Sequence, residues 1–585
     1  MTDSRSVSRV LRHSGLHIVR TVAHTDTADH RGLRGRRPRP AGTEEGSILR
    51  VKRVIAAVSA GFVAAGLLAA CGGGSASGAE GVYSLHIMQP ENPLVPGNTT
   101  ESEGNQVLKS LFTPLVRYND ETSEVEYTGV AKSVESEDQM TWTIELNEGW
   151  TFHDGTPVTA KSYVDAWNYT ALSTNAYGAS YFFENVKGYD ELQAADGAEP
   201  AATTMSGLEA VNDTTISVEL KEPFAIFPVT LGYTAFYPLP EVFFDDPEAF
   251  GRRPIGNGPF KADEDFVDGQ GFTVTKYEDY AGDNPAQAEG VQFKVYTELT
   301  TAFTDVQAGG LDVLLDLPPD AWATARDQFG DRYVERARPD ITALSFPTYD
   351  ERFADPRVRE AFSMAIDRQA ITTAIFTDTR TPAASFGSPV VEGYREDACG
   401  AKCELNVEQA NKLLDEAGFD RSRPVDLWFN AGAGHDQWMT AVGNQFRSNL
   451  GVEYVLRGDL QFAQYLPLQD DKGMTGPFRM GWIMDYPSLY NFLAPVYSTA
   501  AMPPAGSNMS FYSNPEFDAA LSAGNNADTL DDATVEYQRA EDILFRDMPA
   551  TPLFYGLNQA VTSDRVDNVK IDAFGDIVTE EVTVG

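Results

Sequence analysis

The chain has 585 residues, 42% hydrophobic and 11% aromatic, a globular composition with room for two to four domains of about 100–200 residues each. Its formal charge is −41, deepening to −48 once residues 1–70, with 12 Lys and Arg against 5 Asp and Glu, are set aside; a surface so acidic argues against nucleic acid and anionic lipid as partners. Only His86, His153 and His435 lie beyond residue 70, too far apart for metal-ligand spacing, so no metal and no other cofactor is expected.

Residues 1–50 are Arg-rich without apolar periodicity and read as a leader, or as a translation start placed too early, with Val51 the true start. Lys52 and Arg53 then precede an uncharged run, Val54 to Ala70, that ends at Cys71. That is a signal-peptide layout, since 17 Ala-rich residues are short for a helix crossing a ~30 Å hydrocarbon core. The segment LAAC, Leu68 to Cys71, resembles the lipobox of bacterial lipoproteins, which implies a lipid on Cys71 and a flexible tether over residues 71–80.

Beyond the tether the pattern is mixed α/β. Thr141 to Leu146 alternates as a strand, Asp154-Gly155 reads as a hairpin turn, and Thr159 caps a helix with apolar positions at Tyr163, Val164 and Trp167. A strand over Thr214 to Leu220 leads to the aromatic loop LGYTAFYPLP. Gly256 and Gly258 read as a structural turn, because no Lys-Ser/Thr follows to make a phosphate cradle. Val358, Ala361, Phe362, Ala365 and Ile366 share a helical face, and a further helix starts at Asn406 and ends at Gly418. Cys399 and Cys403 in CGAKC form the even pair left in an exported chain and read as a small disulfide loop.

Near the end, GWIMDYPSLYNFL (Gly481 to Leu493) sets Asp485 in an aromatic and aliphatic run. An ionised carboxylate there costs several kcal/mol, by order of magnitude, unless donors or a cation answer it. From the residues alone, Asp485 either organises the turn before Tyr-Pro-Ser or meets the cationic end of a ligand. Strand alternation puts Arg479, Gly481 and Ile483 on one face and Trp482 on the other.

The segments SLFTPLVRYND, TWTIELNEGWTFHDGTPVTAKSYVDAWNYT, RPIGNGPFKA, DPRVREAFSMAID, KLLDEAGF and GWIMDYPSLYNFL, in this order, resemble the large solute-binding proteins of ABC importers for peptides, nickel and some oligosaccharides. Within them the chain is similar to oligopeptide-binding lipoproteins of actinomycete-type Gram-positive bacteria. The resemblance implies an α/β, two-lobed periplasmic-binding-protein-like fold with a hinge-closing cleft. Lobe I would take residues 81–105, 250–340 and 550–585, an extra domain residues 106–249, and lobe II residues 341–549.

In the family's peptide binders a Trp-x-x-Asp segment supplies the carboxylate for the ligand's α-amino group, which maps onto Trp482 and Asp485. Arg479 matches a position that meets a ligand carboxylate. Tyr486, Tyr233 and Phe236 are further candidate contacts, with core packing the competing reading for the aromatics. The implied protein captures short peptides at the outer face of the cytoplasmic membrane, anchored through Cys71 as a monomer, and delivers them to an ABC permease. The same fold carrying an oligosaccharide or nickel chelate, or sensing a peptide signal, is the alternative. An exported hydrolase is the reading from another class, but no G-x-S-x-G or base-with-orienter arrangement is present, so the chain reads as a non-enzyme.

Overall fold

One thirteen-residue strand, Ala550–Thr562, organises the molecule. In the computed structural model, which describes residues 80–119, 122–194, 198–503 and 505–585, this strand is buried along nearly its whole length. Its sequence, ATPLFYGLNQAVT, has the near-continuous apolar run of a strand covered on both faces. Asp340–Ser345 and Arg380–Pro382 pair with its first half, up to Gly556; Tyr333–Ala337 and Val313–Leu315 pair with its second, from Leu557. The twelve-stranded sheet therefore has two halves, one per lobe.

In the half of lobe I, Val82–Ile87 lies parallel to Val313–Leu315 and to Gly290–Val295, and the antiparallel strands Gly271–Lys276 and Phe260–Ala262 complete the edge. In the half of lobe II, Phe478–Ile483 runs antiparallel to Asp340–Ser345, and Val425–Trp428 and Tyr454–Arg457 extend the sheet in parallel. Residues 550–555, assigned from sequence to lobe I, hydrogen-bond in the half of lobe II, because a single long strand serves both. The chain crosses between lobes twice, at Arg338–Pro339 and at Gly556. The crossings are bonded to each other: Arg338 N–H donates to Gly556 O at 2.9 Å, and Gly556 N–H donates to Asp340 Oδ1 at 2.8 Å.

Residues 106–249 contribute a separate four-stranded antiparallel sheet, in the order Ala131–Glu135, Thr141–Leu146, Thr215–Glu219, Leu208–Asn212. The helix Ala160–Ala171 packs beside it, opened by a capping box between Thr159 and Ser162. Trp142, Ile144, Tyr163 and Trp167 share one core with Leu85, Val291 and Phe293 of lobe I. Each such fully buried side chain contributes about 1.5–3 kcal/mol, so this sheet is fastened to lobe I. The same region also reaches lobe II, whose core takes in Ala225, Ile226 and Val229.

Gly256 and Gly258 sit against the backbone of Leu111: a Cβ on either would come within 1.9 or 2.4 Å of it, and Gly258 N–H donates to Leu111 O at 2.8 Å. The turn serves close backbone packing. In lobe II, Asn406 caps Val407–Ala417 by accepting from Gln409 N–H, and the helix stops at Gly418 with φ +67°. Cys399 and Cys403 are disulfide-bonded with Cα atoms 5.7 Å apart, and the Cys403 carbonyl accepts from the buried Arg368 at 2.7 Å. Cys71, the leader and residues 71–79 of the tether lie outside the described residues. Among those described, no helix is long and apolar enough to cross a membrane.

Candidate functional site

The strand Phe478–Ile483 and the turn that follows it carry the two ends of the candidate site. Its alternation is strict: Phe478, Met480 and Trp482 are buried, whereas Arg479 and Gly481 are half-buried and Ile483 is 39% exposed. After Ile483 the chain turns at the hinge, where Met484 N–H donates to Pro339 O at 2.8 Å, and Ser488 then caps the helix Leu489–Tyr497. Asp485 lies in that turn, 7% exposed.

Asn491, one turn into the helix and 1% exposed, holds Asp485 in place. Its Nδ2 donates to Asp485 Oδ2 at 3.0 Å, and its Oδ1 accepts from Asp485 N–H at 2.8 Å and from Trp482 Nε1–H at 3.1 Å. Across the boundary between lobes, Tyr181 O–H donates to Asp485 Oδ1 at 3.3 Å. Burial, and then the Asp485 charge, push the Tyr181 hydroxyl well above its ordinary pKa, so it stays a donor. Tyr181 stacks on Phe182 at 4.6 Å, and Phe182 on Tyr233 at 4.4 Å, a ladder leading from lobe I to the carboxylate.

The aromatic candidates separate on this geometry. Tyr233 belongs to the ladder and lies within electrostatic reach of Asp485. Tyr486 is half-buried, edge-on to Phe224 across the lobes at 6.5 Å. Phe236 packs deep in the core, 1% exposed, with T-shaped contacts to Trp167 at 5.3 Å and Phe183 at 5.1 Å. Trp482, 8% exposed, packs in the core of lobe II and orients Asn491.

The second end is cationic. A Cβ built on Gly481 would lie 2.6 Å from Arg479 Nη2, so the guanidinium folds over that glycine toward Asp485. Burial lowers the Arg479 pKa from its ordinary value, and its Nε is buried without a hydrogen-bond partner. Arg380 lies over the rings of Phe376 at 4.8 Å and Phe554 at 5.6 Å. His435, the first residue of the helix His435–Gln445, accepts at Nδ1 from Trp438 Nε1–H at 3.2 Å. Burial, then the charges of Arg479 and Arg380, bring its pKa down to about 3, so the ring is neutral with its proton on Nε2.

Sequence reading missed Tyr181, Asn491, Arg380 and His435 as members of the site. Asn491 lies only six residues after Asp485, but no local motif joins the two; the others come from remote segments. A different cavity of about 530 Å³, lined by Lys109, Arg117, Asp572 and Glu580, has its charges matched internally: Lys109 pairs with Asp572 at 2.7 Å, and Arg117 with Glu580 at 2.9 Å. Among the described residues no group of three His, Cys, Asp or Glu side chains could hold a metal ion.

Residues 127–504 match the family described as bacterial extracellular solute-binding proteins, family 5. The periplasmic murein peptide-binding protein MppA of Escherichia coli K12 is 26% identical over 485 residues, covering 81% of this chain and 87% of its own. The oligopeptide-binding protein OppA of Bacillus subtilis is 25% identical over 539 residues, covering 87% and 96%. The unliganded open form of MppA superposes with a TM-score of 0.76 at 24% identity, covering 86% of this chain and 97% of that one.

Proposed function

The chain belongs to the family 5 bacterial extracellular solute-binding proteins, and on that premise we propose that it captures short peptides outside the cell and hands them to the permease of an ABC importer. The observation that carries this reading is the strand Phe478–Ile483 with its extension to Asp485: a carboxylate oriented by Asn491 and Tyr181 at one end and the Arg479 guanidinium at the other. An α-ammonium meets the first and an α-carboxylate the second, each through a charge-assisted hydrogen bond.

A short peptide spans the two charged ends. Its main chain can bond to protein backbone in strand fashion, leaving side chains in roomy pockets, which gives affinity without narrow sequence preference. Hinge closure at Arg338–Pro339 and Gly556 then encloses it. Anchoring through a lipid on Cys71, a monomeric state and delivery to a permease belong to the same proposal.

The test is native mass spectrometry of protein purified from cells grown on rich medium, for wild type and Asp485→Ala. A ladder of peptide masses on the wild type, largely absent from the variant, supports the reading. An equal ladder on both removes Asp485 from the site, and a single sugar or metal-chelate mass removes peptides as the cargo.

A further inference from the structure

The cationic end holds more positive charge than one carboxylate needs. In a chain with 86 acidic and 45 basic residues, neither Arg380 nor Arg479 has a carboxylate within ion-pair distance among the described residues. The acid that faces them, Asp340, is already engaged, with Arg338 Nε 3.6 Å from Oδ2 and Gly556 N–H donating to Oδ1 at 2.8 Å. Arg380 is immobilised by the Phe376 and Phe554 rings. The helix His435–Gln445 adds its positive N-terminal end, and His435 adds a donor at Nε2.

The two arginines reach the same space from different strands. By backbone register Arg380 shares a row with Gly556, Asp340 and Ile483, four residues along from Arg479, but its guanidinium lies over Phe554, whose row runs through Thr342 to Gly481, the residue that Arg479 covers. Their strands lie three spacings apart, about 14 Å, and the four-residue offset along the strands adds about 13 Å in the other direction, so the side chains lean toward each other to share the space. Arg380 nevertheless acts electrostatically on Arg479, and both act on His435. A ligand backbone following Phe478–Ile483 meets Arg479 with its terminal carboxylate; a side chain leaving that backbone sideways over the sheet points to Arg380.

We propose that this end of the cleft selects peptides whose last residue is acidic, with Arg479 taking the α-carboxylate and Arg380 the side-chain carboxylate as a specificity-determining residue. The proposal rests on the peptide reading. A bidentate guanidinium–carboxylate pair satisfies one arginine, and a second guanidinium left buried and unanswered on closure opposes binding. An Asp or Glu side chain removes that penalty; Gln or Ala does not.

The experiment is isothermal titration of the full chain with Ala-Ala-Ala-Glu, Ala-Ala-Ala-Gln and Ala-Ala-Ala-Ala. The Glu peptide is expected to bind at least tenfold more tightly than the Gln peptide, and Arg380→Gln to bring that ratio to about one. Equal affinity of wild type for the Glu and Gln peptides overturns the proposal while leaving peptide capture intact. So does an Arg380→Gln variant that keeps the full ratio. Absence of binding to all three peptides overturns peptide capture, and the proposal with it.

Discussion

Gly481 gives the most direct handle on the cationic end. In Gly481→Ala the new methyl would stand 2.6 Å from Arg479 Nη2 and 3.2 Å from its Cζ, while the nearest backbone atom, Ile341 O, is at 3.5 Å. The only close contacts are therefore with the tip of a flexible side chain, which swings away. Folding should change by less than about 1 kcal/mol, since Ala in a strand regains backbone entropy lost at Gly. Binding should change more: losing one charge-assisted hydrogen bond to a carboxylate is worth about 1.5–3 kcal/mol, or roughly 10- to 150-fold in affinity. The assay is titration calorimetry with a tetrapeptide acid and its C-terminal amide, beside a thermal melt. The expected pattern is an unchanged melt, acid binding weakened into that range, and amide binding unaltered. A variant that still prefers the acid by the wild-type ratio would refute the placement of Arg479.

Asp485→Asn should weaken free-amine peptides by about 2–5 kcal/mol, because it strips the anion from a desolvated pair, and should leave N-acetylated peptides unaffected; calorimetry on both ligands decides it. Asn491→Leu leaves the Trp482 indole, the Asp485 amide and a carboxylate oxygen each without this partner, and should cost about 1–3 kcal/mol in a urea titration as well as peptide affinity. His435 has a folded pKa of about 3 against 6.5 unfolded, so its neutral form is fully compatible with folding above pH 6.5 and stability is lost as pH falls from there toward 3. At pH 5 the loss is about 2 kcal/mol, and His435→Gln should show a correspondingly smaller drop in urea midpoint between pH 7 and pH 5. Replacing Cys399 and Cys403 together by Ser opens a short loop and should cost about 2 kcal/mol on the chain-entropy model, read as a lowered melting temperature absent under reductant.

Local chemistry made much of the fold legible. Thr159 and Asn406 cap helices because their side chains reach the next turn, and period-two alternation placed Arg479, Gly481 and Ile483 on one face. That same alternation set Trp482 on the opposite face, and the structure follows it; the family pattern by itself does not say which way the indole points. Phe236 shows the limit of residue type, since an aromatic loop near a cleft and an aromatic core have the same composition. Tyr181 lies 304 residues from Asp485, and its hydroxyl arrives there only once the extra region is fastened to lobe I. Arg380 and His435 meet Arg479 through strand order, which no spacing in the sequence encodes.

Strand order also sets when this protein can fold. Ala550–Thr562 is made after 549 other residues, yet it is the partner of Asp340–Ser345, Arg380–Pro382, Tyr333–Ala337 and Val313–Leu315. At ribosomal speeds of about 5–20 residues per second, those strands wait roughly 10–40 s with an edge unpaired. Open edges invite aggregation during that wait. The half of lobe II cannot close before Gly556 has emerged, nor the half of lobe I before Thr562. A chain cut short anywhere before Ala550 has no finished lobe, and the order of the strands thereby makes completion of synthesis a condition for folding.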